Sequence, residues 1–148
     1  MLDTAPLPQL HALSADIEAM VYLRKGDYAK AISKIQAVVD SRPEDDQTLS
    51  ILGYAYAVAG RNKEALSTLD ELQRRSRKEY IEPGEVAMIW AALGNKDKAL
   101  DLLDEDYQLH SSFVMSLATN PAFAPLYSES CFQDLLRRVG LPSSTSGL

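Results

Sequence analysis

The chain has 148 residues, of which 46% are hydrophobic and 24% charged, a balance typical of a globular domain that excludes wholesale disorder. Its 15 basic and 21 acidic residues give a net charge of −6, so nucleic acid is not an expected partner. No apolar run approaches the roughly 20 residues of a membrane span, and the N-terminus lacks the basic and apolar regions of a secretory signal, which predicts a soluble cytoplasmic protein that binds no membrane.

Apolar residues with helical spacing predict six helices in chain order, at about 11–24, 28–41, 46–59, 62–78, 84–93 and 96–107. Glycines separate the members of each successive pair, at Gly26, Gly60 and Gly94, and each lies 34 residues after the one before. Glycine adopts the positive φ that ends one helix and turns the chain into the next. The sequence therefore predicts three helix pairs of equal length.

Two further residue types repeat with the glycines. An alanine follows each glycine by five positions, at Ala31, Ala65 and Ala99. An aromatic residue precedes each by four positions, at Tyr22, Tyr56 and Trp90. Small alanines let two helices approach closely, and the aromatic ring fills the space between them. A helix, a glycine turn and a second helix repeated every 34 residues resembles the tetratricopeptide repeat.

This resemblance implies an all-α fold, a right-handed α-solenoid of three tetratricopeptide repeats. The middle repeat carries the most family-type residues, at Leu49, Leu52, Gly53, Tyr56, Ala65 and Leu69. The expected repeats span residues 12–45, 46–79 and 80–113, after an N-terminal lead-in at 1–11.

Residues 114–142 are expected to form a C-terminal capping segment, because the last repeat of a solenoid exposes an apolar face unless another element covers it. The stretch from Asn120 to Leu126 and the later Phe132, Gly140 and Pro142 are similar to the ending of bacterial multidomain signalling and transcription regulators. Residues 143–148 are expected to be a disordered tail.

No residue pattern predicts catalysis, a cofactor or a metal site. His11 and His110 have no ligand-spaced partners, and Cys131 is expected to be buried and inert. Asp101, Asp104 and Glu105 share one helix face, which favours a solvated surface over a cation site. The basic residues from Arg74 to Lys78 are expected to complement a helix dipole, with an acidic partner as the alternative.

In tetratricopeptide arrays the first helix of each repeat lines a concave groove that binds ligands. Carried over by register, this predicts a groove lined by Asp16, Met20, Leu23, Arg24, Gln47, Ser50, Tyr54, Val58, Met88 and Ala91. Gly84 falls at the third-repeat position equivalent to Asp16 and Ser50. These residues are mostly apolar and methionine adapts to varied apolar ligands, so the expected ligand is an apolar or amphipathic protein segment.

The leading hypothesis is a non-catalytic protein-interaction module belonging to a bacterial regulatory protein. The alternative is a small secretion chaperone that holds an export substrate, although secretion chaperones lack the ending that starts at Asn120. An intramolecular partner domain and self-association are further alternatives for the occupant of the groove.

Overall fold

The computed structural model describes residues 8–143, with side chains from Ala15 onward. Within these residues all regular structure is helical: α1 (Pro8–Lys25), α2 (Tyr28–Ser41), α3 (Asp46–Val58), α4 (Asn62–Arg75), α5 (Pro83–Ala92), α6 (Lys96–Gln108), the 3-10 helices η1 (Ser112–Ser116) and η2 (Pro121–Leu126), and α7 (Ser130–Val139). The predicted all-α fold and its six repeat helices are confirmed. The main differences are that α1 begins earlier, at Pro8, and that α4 ends at Arg75 rather than at residue 78.

The three glycine turns have one geometry. Gly26, Gly60 and Gly94 have φ values of 79°, 79° and 84°, in the region that L side chains rarely adopt. In each turn the residue after the glycine donates its N–H over 2.9 Å to the carbonyl of the repeated aromatic residue, as from Asp27 to Tyr22. These bonds satisfy carbonyls that the end of a helix leaves unpaired.

The alanines and aromatics also behave alike in every pair. Ala31, Ala65 and Ala99 are all 0% exposed, as expected where two helices approach closely. Each repeated aromatic ring carries a cation over its face, the closest being Lys98 Nζ at 4.1 Å from the Trp90 centroid. The residues that define the sequence repeat therefore have the same burial and the same ring contacts in all three repeats.

The chain divides into two compact units, residues 1–68 and 69–148, with the boundary inside α4. In the first unit α2 packs against both α1 and α3, around a core that includes Ala19, Ile35 and Leu52. Asp45 caps α3 by accepting a hydrogen bond from Thr48 N at 3.2 Å. This cap sets the start of α3 directly after the loop that leaves α2.

In the second unit α5 packs on α6, and residues 111–143, which we call the C-terminal segment, pack on both helices. η2 lies against α5, whereas η1 and α7 lie against α6. Phe123 and Phe132 are 0% exposed, and their ring centroids are 6.3 Å apart. Gly140 ends α7 with a φ of 90°. Residues 1–7 of the predicted lead-in and residues 144–148 of the predicted tail lie outside the described residues.

Candidate functional site

The predicted groove residues of α1 lie on a partly open surface. Asp16, Met20 and Leu23 are half-buried, and Arg24 is exposed. Spacings of three and four residues place them on one side of the helix. This side therefore offers two apolar side chains between a carboxylate and a guanidinium.

Asp16 is the polar centre of this surface. Its Oδ1 is buried and has no hydrogen-bond partner among the described residues. Burial raises the pKa of the Asp16 carboxyl, the nearby Asp45 carboxylate raises it further, and Arg42 opposes both. Arg42 is itself paired with Asp45 at 3.3 Å. The structure thus brings Asp16 of α1 close to the residues that precede α3.

The predicted groove residues of α3 are more covered. Ser50 is 3% exposed, and its hydroxyl donates to the Asp46 carbonyl at 2.9 Å. Tyr54 is 9% exposed, and burial raises the pKa of its phenol, with a smaller contribution from Tyr28. Gln47 is exposed, and Val58 is half-buried. Of this set, Gln47 offers an exposed polar group at the start of the helix.

In the second unit the chain itself covers the predicted positions on α5. The Phe113 ring packs so closely on Gly84 that a Cβ at this position would overlap it. Asn120 Nδ2 lies 3.7 Å from Met88 Sδ, and Met88 is 9% exposed. Ala91 is 3% exposed. The C-terminal segment therefore covers Gly84 and Met88 on α5, which are the residues equivalent to Asp16 and Met20 on α1.

The basic residues after Gln73 divide into two groups. Arg74 and Arg75 lie in the last turn of α4 and both pair with Glu71, Arg75 through its Nε at 2.8 Å. Arg77 and Lys78 lie beyond the helix and are exposed. The expected complement to the helix dipole therefore holds for Arg74 and Arg75 only, because α4 ends before the other two.

The expected burial of Cys131 is wrong. The residue is exposed near the start of α7, where Asp101, Asp104 and Asp134 line the adjacent cleft between α6 and α7. The apolar side of α7 buries Phe132, Leu135 and Leu136 instead, so the helix turns its cysteine outward.

The acidic face of α6 is exposed at Asp101 and Glu105, and Asp104 pairs with Arg138 at 3.0 Å. His110 is exposed and has a φ of 57° after the end of α6, whereas the side chain of His11 lies outside the described residues. Within residues 15–143 no three His, Cys, Asp or Glu side chains cluster as they would around a metal ion.

Sequence reasoning missed one polar cluster, formed by Asp106, Glu82 and Ser111. Asp106 is 0% exposed, and the Ser111 hydroxyl donates to Glu82 Oε1. The sequence repeat could have identified Asp106 as unusual, because the equivalent residues of the earlier repeats are the aliphatic Val38 and Leu72. A carboxylate at a core position of the repeat is costly to bury unless a polar partner compensates for it. Its presence there therefore predicts a functional role or a buried polar partner.

Helices joined in pairs by glycine turns of one geometry define this chain as a helical repeat protein. A model for the tetratricopeptide repeat matches residues 18–79, so this part of the chain is similar to tetratricopeptide repeat proteins. Gly94, Ala99 and Trp90 continue the same register beyond the match. Searches of curated proteins and of solved structures found no match.

Tetratricopeptide repeats mediate protein–protein interaction and form a family of non-catalytic modules. Among the described helices, none combines the length and the apolar character needed to cross a bilayer. The family and the fold therefore indicate that the candidate functional sites are helix surfaces that a protein partner can contact.

Proposed function

We propose that this chain is a non-catalytic adaptor that binds an apolar or amphipathic segment of a partner protein on the predicted groove side of α1 and α3. The observation that supports this most is the difference between equivalent repeat positions. On α5, Gly84 and Met88 are covered by Phe113 and Asn120 of the chain's own C-terminal segment. On α1, the equivalent Asp16 and Met20 are half-exposed.

The C-terminal segment also indicates the chemistry that this helix side accepts. It places an aromatic ring over the first position and an amide beside the methionine of the second. By analogy, a partner would pack an apolar side chain on Met20 and Leu23. A donor from its backbone or side chain would reach Asp16 Oδ1, which lacks a hydrogen-bond partner among the described residues.

The other predicted groove residues differ in exposure and therefore in their proposed roles. Gln47 and Arg24 are exposed and supply a polar rim. Ser50, Tyr54 and Val58 support the surface from α3, with Tyr54 as the expected aromatic anchor. A partner reaches Met88 only by displacing Asn120 of the C-terminal segment, and Ala91 is buried.

The setting in a bacterial regulatory protein of the cytoplasm is part of the proposal. It rests on the similarity of the ending from Asn120 to Pro142 to the endings of bacterial regulators, an ending that secretion chaperones lack. The packing of this ending on α5 and α6 is consistent with a structural role in such proteins.

The test is a random-peptide display selection on the full chain, followed by fluorescence anisotropy of the selected peptides. Met20→Asp places a charge on the apolar contact, so we expect affinity to fall at least about tenfold, or roughly 1.4 kcal/mol. Val21→Asp is the matched control, because Val21 directly follows Met20 on α1, so its side chain points in another direction, and it is 44% exposed. Raising salt from about 0.1 to 0.5 M is expected to change affinity little, since screening acts on charge pairs.

Circular dichroism checks that both variants remain helical. Peptides that bind Met20→Asp normally, but are lost when Arg74, Arg75 and Arg77 are changed to Glu, would move the binding site to the basic residues after α4. The groove proposal would then be wrong.

A further inference from the structure

Asp106 stands where the other repeats have an aliphatic residue. The equivalent residues Val38 and Leu72 are 8% and 1% exposed, and Asp106 is 0% exposed. Neither of its carboxyl oxygens has a well-formed hydrogen bond to another described residue. Burying an ionised carboxylate without a partner is costly, so this position favours the neutral form of the side chain.

The groups around Asp106 are acidic or neutral. Glu82 lies directly before α5 and faces Asp106, and the Ser111 hydroxyl from the start of the C-terminal segment contacts both carboxyls. Tyr80, Glu85 of α5 and Glu105 of α6 belong to the same electrostatic neighbourhood. α7 brings Arg138 to α6, but its guanidinium pairs with Asp104 and covers the Tyr107 ring at 5.0 Å.

Burial raises the pKa of Asp106 to about 7, and the Glu82 carboxyl adds to this effect, while Ser111 and the Gly84 N–H oppose it. Because the pKa in the folded protein is raised, the favourable contribution of the protonated form is complete below the unfolded value of 3.8. It is lost as the pH rises through the folded value near 7. The ratio of protonated to ionised Asp106 in the folded protein therefore changes close to neutral pH.

Two contacts link η1 to the start of α5 at this point. The Ser111 hydroxyl donates to Glu82, and the Phe113 ring packs on Gly84 two residues further along α5. Phe113 also meets Phe123 in an edge-to-face contact with centroids 6.0 Å apart, so η1 is continuous with the buried aromatic residues of the C-terminal segment. A negative charge on Asp106, between α5 and α6, therefore acts on the contacts that Ser111 and Phe113 make with the start of α5.

We propose that Asp106, which faces Glu82, acts as a proton-operated latch: it holds η1 against the start of α5 while Asp106 is protonated and loosens that contact when Asp106 ionises. Ionisation of Asp106 buries a negative charge beside the half-buried Glu82 carboxyl, and no cation is among the groups that shift the pKa of Asp106. Loosening is expected to be confined at first to η1 and the first turn of α5. Helix α2 of the first unit has no such pair and serves as an internal reference.

The test uses the full chain in two measurements between pH 5.5 and 8. Thermal melts are expected to show that raising the pH lowers the Tm of the wild type by about 5 °C more than that of Asp106→Asn, which keeps the shape but cannot ionise. Asp106→Leu, the residue of the second repeat, should be equally insensitive. Asp101→Asn, an exposed acid on the same helix, should keep the wild-type response.

Amide hydrogen exchange then locates the change. After correction for intrinsic exchange rates, peptides covering residues 111–117 should exchange several-fold faster at pH 8 than at pH 6 in the wild type and not in Asp106→Asn. His110 is exposed and directly precedes these residues, so His110→Asn is the decisive control. The latch is overturned if Asp106→Asn and Asp106→Leu respond to pH as the wild type does, or if His110→Asn alone removes the response.

Discussion

Equivalent positions of one 34-residue pattern have different surroundings in the two units. On α1 of the first unit, Asp16 and Met20 are half-exposed, whereas on α5 of the second unit Gly84 and Met88 lie beneath the C-terminal segment. The backbone geometry is nevertheless shared, since the glycine turns differ by at most 5° in φ. A repeat therefore determines how helices pair, while what covers each helix depends on residues outside the repeat.

The largest effect on stability is expected from ending the chain after Ser112, which removes most of the C-terminal segment. This removes Phe123, Leu126, Phe132, Leu135 and Leu136, all at most 1% exposed. At roughly 1.5–3 kcal/mol for each side chain, their burial is comparable with the typical net stability of about 5–15 kcal/mol. We expect the truncated chain to bind a hydrophobic dye and to lose cooperative unfolding.

The matched control ends the chain after Ser143 and removes only residues 144–148. It should melt like the full chain. A chain ending at Ser112 that stays monomeric, with unchanged helicity and a cooperative melt, would show that α5 and α6 do not need the C-terminal segment.

A smaller effect is expected from Gly84→Ala. The added Cβ overlaps the Phe113 ring, so the ring or the helix must move, and overpacking of this kind costs about 1–3 kcal/mol. Ser50→Ala changes the equivalent residue of α3, where the hydroxyl only bonds the carbonyl of its own helix, and should cost less than about 1 kcal/mol. Urea unfolding measures both free energies. Equal costs would mean that Phe113 does not distinguish α5 from α3.

The helix pairs could be predicted because their causes lie close together in the sequence. A glycine, an alanine five residues later and an aromatic four residues earlier specify a turn and a close helix contact locally. Repetition at 34 residues then excludes coincidence. The helix ends depend on weaker local signals: α4 stops at Arg75 because charged and small residues follow without an apolar residue at the next helical position.

The path of the C-terminal segment could not be predicted, because no period relates it to the helices that it covers. Its apolar residues indicate that it is buried, but the contact of Phe113 with Gly84 joins residues 29 positions apart through tertiary packing alone. The same holds for the polar cluster around Asp106. Comparing it with Val38 and Leu72 identifies an unusual residue, and only the fold shows that Glu82 and Ser111 face it.

The smallest expected effect concerns the buried acid of the first unit. Burial and the Asp45 carboxylate raise the pKa of Asp16, while Arg42 opposes them. Stability from the protonated form is therefore lost as the pH rises through the folded pKa, as for Asp106, but less of it, because Asp16 is only half-buried and has a cation nearby. Asp16→Asn should raise the Tm relative to the wild type by an amount that grows between pH 4.5 and 8 and stays below the Asp106→Asn effect. Asp40→Asn, an exposed acid on α2, is the control and should leave the Tm unchanged. If Asp16→Asn instead lowers the Tm at pH 8, Arg42 outweighs burial, and the carboxylate that we offer to a partner is already satisfied within the chain.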